Sequence, residues 1–258
     1  MKHYSLFFIN PITILYLLLA LIFNKFNFII LHYSIAFIHE LFHYLMAKSL
    51  NIKVNEIQFL PIGFYLKINN LENYSFIKQL LVLIAGPLSF FVSYAILKIL
   101  LHINVISQYG YEEGLISNNF ILIFNLLPIY PLDGFKIIEL FFSSFINEYK
   151  LRFFRISLSI IVLVFSSFYL ISLGEMITLI FLLFNLIISF INLKKEYLLY
   201  LITRLNLTNK RKVKINKKKE IYRLKDNFCM INGELFSEKE IIQDILQKEK
   251  ISKEIDII

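Results

Sequence analysis

His39, Glu40 and His43 stand inside an apolar stretch, from about Phe28 to Met46, that carries almost no other charge. Buried ionisable groups at bilayer depth cost roughly 2.5–3.5 kcal/mol on insertion scales, so they persist where they have a partner or a task. On an α-helix, side chains four residues apart stack on one face with Cβ atoms about 5–6 Å apart, close enough for two imidazoles to share one metal ion. Glu40 then projects beside the ion, placed to take a proton from a water that the metal acidifies. The chain has 5 histidines, and these two stand at ligand spacing around a carboxylate where burial is most costly.

Two imidazoles leave a hydrolytic zinc centre one protein ligand short. Asp133 fits that role. It lies in a second apolar run, Asn125-Leu-Leu-Pro128-Ile-Tyr-Pro131-Leu-Asp133-Gly134, where two prolines interrupt what would otherwise be a spanning helix. Broken backbone at membrane depth is tolerated where it is packed in protein or lines a watery cavity, so Asp133 is expected to face a hydrated pocket.

The elements that must position these residues follow from composition. Hydrophobic residues make up 57% of the chain, more apolar surface than a soluble core of this length would hide. The expected fold is an all-α polytopic membrane protein with about six transmembrane helices, a membrane-associated β-hairpin and a small cytoplasmic α/β C-terminal tail. The spans are expected at 5–23, 28–48, 79–101, 115–146 (broken near its middle), 153–173 and 175–193. The first lacks a small-residue cleavage site and reads as retained rather than as a signal peptide. Lys48, Lys53, Lys67 and Lys78 flank the second connection, Lys150, Arg152 and Arg155 the fourth, and Lys194 and Lys195 follow the last span. Glu112 and Glu113 mark the third connection. By the positive-inside rule both termini are cytoplasmic.

Ile52 to Ile68 alternates in part, breaks at Pro61-Ile62-Gly63 and stays hydrophobic, which reads as a hairpin on or dipping into the membrane. Gly86-Pro87 is expected to loosen or kink the third span, for reasons of packing. Residues 1–195 form the membrane domain in this reading, and 196–258 a basic linker with a short C-terminal element. The basic residues from Lys210 to Lys225, including Arg211 and Arg223, are expected to attract anionic headgroups. They carry too few aromatics to favour nucleic acid. Phe228-Cys229-Met230-Ile231 reads as a strand, Asn232-Gly233 as a turn, and Ser237 with Glu240 as the capping box of a helix. The single Cys229 excludes an internal disulfide.

The two motifs resemble those of the site-2 protease family of intramembrane metalloproteases, His-Glu-x-x-His on one helix and Asn-x-x-Pro-x-x-Pro-x-Asp-Gly on a later one. The resemblance covers roughly residues 28–145. It implies one catalytic zinc on His39, His43 and Asp133, Glu40 as general base, and Asn125 holding the substrate strand or the scissile carbonyl. Where family members often carry an Asn three residues after Gly-Pro, this chain has Phe90. The spans, hairpin and tail look most like the family's sporulation branch, which resides in the membrane around the forespore and releases a sigma factor from its membrane-associated precursor. That branch carries a nucleotide-responsive CBS domain, and 196–258 is long enough only for a reduced CBS-like remnant. Implied partners are a membrane-associated protein substrate, the lipid bilayer and a membrane-embedded regulator, without nucleic acid. An anti-sigma factor or another spanning protein is the alternative substrate. A metal-ion transporter would leave Glu40 idle and lacks a second His pair along a path, and an inactive scaffold conflicts with the intact ligand set.

Overall fold

The computed structural model describes residues 7–9, 26–60, 63–68, 70–172, 176–206, 211–231 and 233–248. Helix α1 (Phe26–Ser49) carries both imidazoles and Glu40. It ends where Asn51 turns left-handed (φ 56°) and the Ile52 amide returns to the Ala47 carbonyl at 2.9 Å. An asparagine tolerates that conformation because its short polar side chain bonds locally.

The chain then reverses through β2 (Glu56–Leu60) and β3 (Gly63–Lys67), an antiparallel hairpin with Glu56 opposite Lys67 and Leu60 opposite Gly63. Phe59 and Phe64 pack against Ile29 and Tyr33, so the hairpin runs back along α1 from its basic end. Strand β1 (Phe7–Ile9) adds to β2 in parallel, Phe7 facing Ile57. The helix expected from Ser5 therefore does not include these three residues, and the rest of 5–23 lies outside the described residues apart from them.

A single 3₁₀ turn (Leu71–Asn73) leads into α2 (Phe76–His102), which passes through Pro87 without a break. Gly86, one residue before that proline, is buried. Helix α3 (Gln108–Leu126) is capped by Ser107 Oγ, which accepts from the Gly110 amide at 3.1 Å. The fourth expected span proves to be two helices. After α3 the segment 127–132, with a cis Tyr130–Pro131 bond, leads to the short α4 (Asp133–Phe142). Helices α5 (Glu148–Ser172) and α6 (Met176–Leu205) pack together through Leu163, Leu170, Leu179, Leu182 and Leu186, against Phe124, Ile129 and Leu132.

Among the described residues, four helices are long and apolar enough to cross a membrane: Phe28–Ser49, Phe76–His102, Glu148–Ser172 and Thr178–Leu205. Phe165 and Phe168, 78% and 80% exposed, suit a hydrocarbon surround. The chain is thus mostly helical and polytopic, with small sheets.

Helix α6 continues past Lys194 and Lys195 to Leu205, and on its end sits the C-terminal unit. There β4 (Lys212–Asn216) pairs in parallel with β5 (Lys225–Ile231), and β6 (Glu234–Phe236) pairs antiparallel to β5, before α7 (Glu238–Lys248). Ser237 and Glu240 form the capping box: the Ser237 amide donates to Glu240 Oε2 at 2.6 Å, and the Glu240 amide reaches back to Ser237 Oγ at 3.5 Å. Ile221, Cys229, Ile241 and Ile242 close over Leu198 and Leu201 of α6. The basic run is not solvated throughout. Lys212, Lys217 and Lys218 are exposed, but Arg223 is turned inward and Lys219 pairs with Asp244 at 2.9 Å.

Candidate metal centre

Three side chains from α1 and α4 meet at one point. His43 Nε2 lies 2.8 Å from Asp133 Oδ2, His39 Nε2 lies 3.1 Å from the same oxygen, and the two imidazole nitrogens are 3.2 Å apart. Residue exposures are 3% for His39 and 5% for both His43 and Asp133. Donors about 2.0–2.1 Å from a tetrahedral zinc stand about 3.3 Å from one another. The triangle matches that spacing to within a few tenths of an ångström, and its two imidazoles and one carboxylate are the donors zinc takes.

The surroundings aim these donors. His43 Nδ1 lies 2.7 Å from the Val82 carbonyl on α2. A carbonyl only accepts, so Nδ1 carries the proton and Nε2 presents its lone pair to the site. The other oxygen of Asp133, Oδ1, takes Lys136 Nζ at 3.3 Å, one turn along α4. Lys136 also stands over the Tyr65 ring of β3, 5.8 Å from its centroid. Gly86 faces the imidazoles: a Cβ there would lie 2.1 Å from His43 Nε2 and 2.7 Å from His39 Nε2. The space that glycine leaves is therefore space for the donors, not for helix packing.

Glu40, half-buried, lies next to the triangle. Its ligand atom and those of His39 and His43 all fall within 4.8 Å of one another. Its Oε2 accepts the Leu66 amide of β3 at 3.0 Å. In an antiparallel pair, residues alternate between facing the partner strand and facing away. Lys67 faces β2, since its carbonyl accepts the Asn55 amide at 3.0 Å, so Leu66 and Phe64 present their backbone groups to the outer edge. Among the described residues, no strand pairs with that edge. A cavity of about 190 Å³ opens beside it, lined by Glu40, His43, Asp133, Lys136, Tyr130 and Arg223, among others.

Asn125 is the exception among the expected site residues. Its amide nitrogen donates to the Ile121 carbonyl of its own helix at 2.9 Å, and it is not among the described residues that line the cavity. Lys136, Gly86, Tyr130 and Arg223 were not foreseen. Only Lys136 left a sequence signal, a cation three residues after Asp133 on the same helix face.

Residues 27–112 match Peptidase family M50. The chain is 34% identical over 110 residues to Stage IV sporulation protein FB of Bacillus subtilis (strain 168), covering 43% of this chain and 38% of that protein. It is 32% identical over 120 residues to Zinc metalloprotease MJ0392 of Methanocaldococcus jannaschii, covering 45% and 34%. Each match spans little more than a third of the relative's length. Among solved structures, the Site-2 Protease from Methanocaldococcus jannaschii shares the fold, with a TM-score of 0.53 at 22% identity over 74% of this chain and 89% of that one. The family match covers the segment that carries His39, Glu40, His43 and Gly86 and stops short of Asp133.

Proposed function

We propose that the protein is an intramembrane zinc metalloprotease that cuts a membrane-associated protein near the cytoplasmic face. The observation that carries this is the convergence of His39, His43 and Asp133 on one point, with the Glu40 carboxylate beside it. These three would hold one zinc, which when bound acidifies water and polarises a carbonyl. Glu40 takes the proton from the attacking water and returns it to the departing amine. The Leu66 amide keeps the Glu40 carboxylate aimed while it does so. A helix hides its carbonyls, so the substrate must be extended at the cut. The outer edge of β3 offers the Phe64 backbone groups and the Leu66 carbonyl, on which such a strand would pair while the Leu66 amide stays with Glu40. Asn125 would assist the scissile carbonyl only after leaving its bond to Ile121.

Orientation follows from charge. Lys48 ends α1, Lys78 lies in the first turn of α2 with its Nζ on the Leu50 carbonyl at 3.1 Å, and Lys150 and Arg152 lie in the first turns of α5, where Arg152 and Arg223 of the C-terminal unit share Glu148. That gathering supports a cytoplasmic assignment for this end, with six spans and both termini on the same side. We read residues 1–195 as the membrane domain and 196–258 as its cytoplasmic C-terminal unit. The likeness to the sporulation protein favours a sigma-factor precursor as substrate and the forespore membrane as location. Co-expression with such a precursor from the same organism is expected to yield a shortened product that a Glu40→Gln variant does not make. In proteoliposomes, a metal chelator should abolish the cut and zinc restore it. Cleavage that survives both Glu40→Gln and the chelator would end the metalloprotease reading. An intact precursor alongside a cut anti-sigma factor would end only the substrate assignment.

A further inference from the structure

Arg223 belongs to the loop between β4 and β5, yet it is only 2% exposed, and its guanidinium enters the membrane domain. Nε and Nη2 each lie 2.9 Å from an oxygen of Glu148, the first residue of α5. Nη2 also lies 3.4 Å from Glu139 Oε1 on α4. Arg152 shares Glu148 at 3.0 Å and takes Glu72 at 2.9 Å. The same Arg223 lines the cavity that Glu40, His43 and Asp133 line.

The loop that presents Arg223 is itself held. The Glu148 amide donates to the Ile221 carbonyl at 2.8 Å, and Ile221 is buried against α6. The Arg223 carbonyl accepts from Arg211 Nη1 at 2.6 Å and from Arg204 Nη1 on α6. A fork fixed at both ends is pre-organised, and arginine is the side chain that bridges two carboxylates with defined geometry. Buried ion pairs are weak contributors to net stability, so a network of this kind is better read as fixing position. What it fixes is α4. That helix has 10 residues, begins at Asp133, and reaches Glu139 in less than two turns.

We propose that Arg223 is a positioning residue for the metal site. Through Glu139 it sets where α4, and with it Asp133, stands relative to His39 and His43. The C-terminal unit is then a working part of the centre and not an appendage. This rests on reading those three residues as metal ligands.

The test uses the full chain in lipid nanodiscs and Co²⁺ as the probe. Glu139→Gln keeps the side-chain shape and leaves the Arg223–Glu148 fork intact. Arg223→Lys keeps the charge but loses the fork. Lys248→Gln, at an exposed pair with Asp244, is the control. The readouts are Co²⁺ affinity by chelator competition, the visible spectrum of bound Co²⁺, and protection of the C-terminal unit from trypsin. Expected is a fall in affinity of about tenfold or more in Glu139→Gln and Arg223→Lys, the range for groups that orient metal ligands. The spectrum should shift, the C-terminal unit should stay protected, and the control should match the parent. Parent affinity and spectrum in both variants would overturn the proposal. So would a loss seen only where trypsin removes the C-terminal unit, which is general loosening. A parent chain that binds no Co²⁺ would overturn the ligand reading itself, and this proposal with it.

Discussion

Gly86→Ala is expected to empty the metal site while leaving the helix that carries it in place. The added methyl would stand 2.1 Å from His43 Nε2, where ordinary contact begins at 3.4 Å. The imidazole would have to retreat by about 1.3 Å, several times the roughly 0.2 Å over which metal–ligand distances vary. It is not free to do so, because Nδ1 is tied to the Val82 carbonyl at 2.7 Å. Overpacking costs about 1–3 kcal/mol, and alanine in place of glycine within a helix returns about 1 kcal/mol. Global stability should therefore change little, and metal affinity should fall by at least about a hundredfold. Metal content by mass spectrometry after dialysis, alongside thermal unfolding in the same detergent, separates the two effects. Gly110→Ala is the control, since the nearest atoms to its Cβ lie 3.6 Å away. Full metal content in Gly86→Ala would refute the placement of the imidazoles against α2.

Glu40→Gln should keep parent metal content and slow cleavage by about 10²–10⁴, the usual worth of a general base; cleavage near the parent rate would remove Glu40 from that role. Acid should release the C-terminal unit. Burial pushes the Glu72 carboxyl up, but Arg152, Arg223 and Arg155 outweigh burial and hold it at about 2 against an ordinary 4.5. Because the folded value is the lower one, the stabilisation is complete above 4.5 and is lost as pH falls through about 2. Pepsin digestion across that window should show increasing cuts within 211–248 as pH drops, and a flat profile would contradict the network. For topology, Cys229 is the single cysteine and is buried. After Cys229→Ser, single cysteines at Lys217 and Gln108 should label from opposite faces of sealed vesicles, and labelling from one face would break the proposed orientation.

The parts that could be read from the sequence are those set by short spacing. His39, Glu40 and His43 are within one helical turn or so of each other, the 52–68 alternation with its Pro61 to Gly63 break is a local pattern, and Ser237 with Glu240 is a three-residue motif. Asp133 was also legible, because two prolines in an apolar run need an explanation. What escaped depended on which elements meet. Gly86 gains its meaning only once α2 lies against the imidazole face of α1. Phe7–Ile9 pairs with β2 across a long stretch of chain, a contact with no local signature. Arg223 stands in a basic run that reads as solvated, and its partner Glu148 is 75 residues away. Asn125 carries the family motif, yet a back-bond to Ile121 satisfies its amide.

Zinc K-edge X-ray absorption on the purified chain addresses the central claim most directly. The account predicts one zinc per chain with two imidazole nitrogens at about 2.0–2.1 Å, a carboxylate oxygen at about 2.0–2.2 Å and no sulfur, and loss of that signal in Asp133→Ala. A chain that binds no zinc, a sulfur scatterer at about 2.3 Å, or a spectrum unchanged by Asp133→Ala would contradict it.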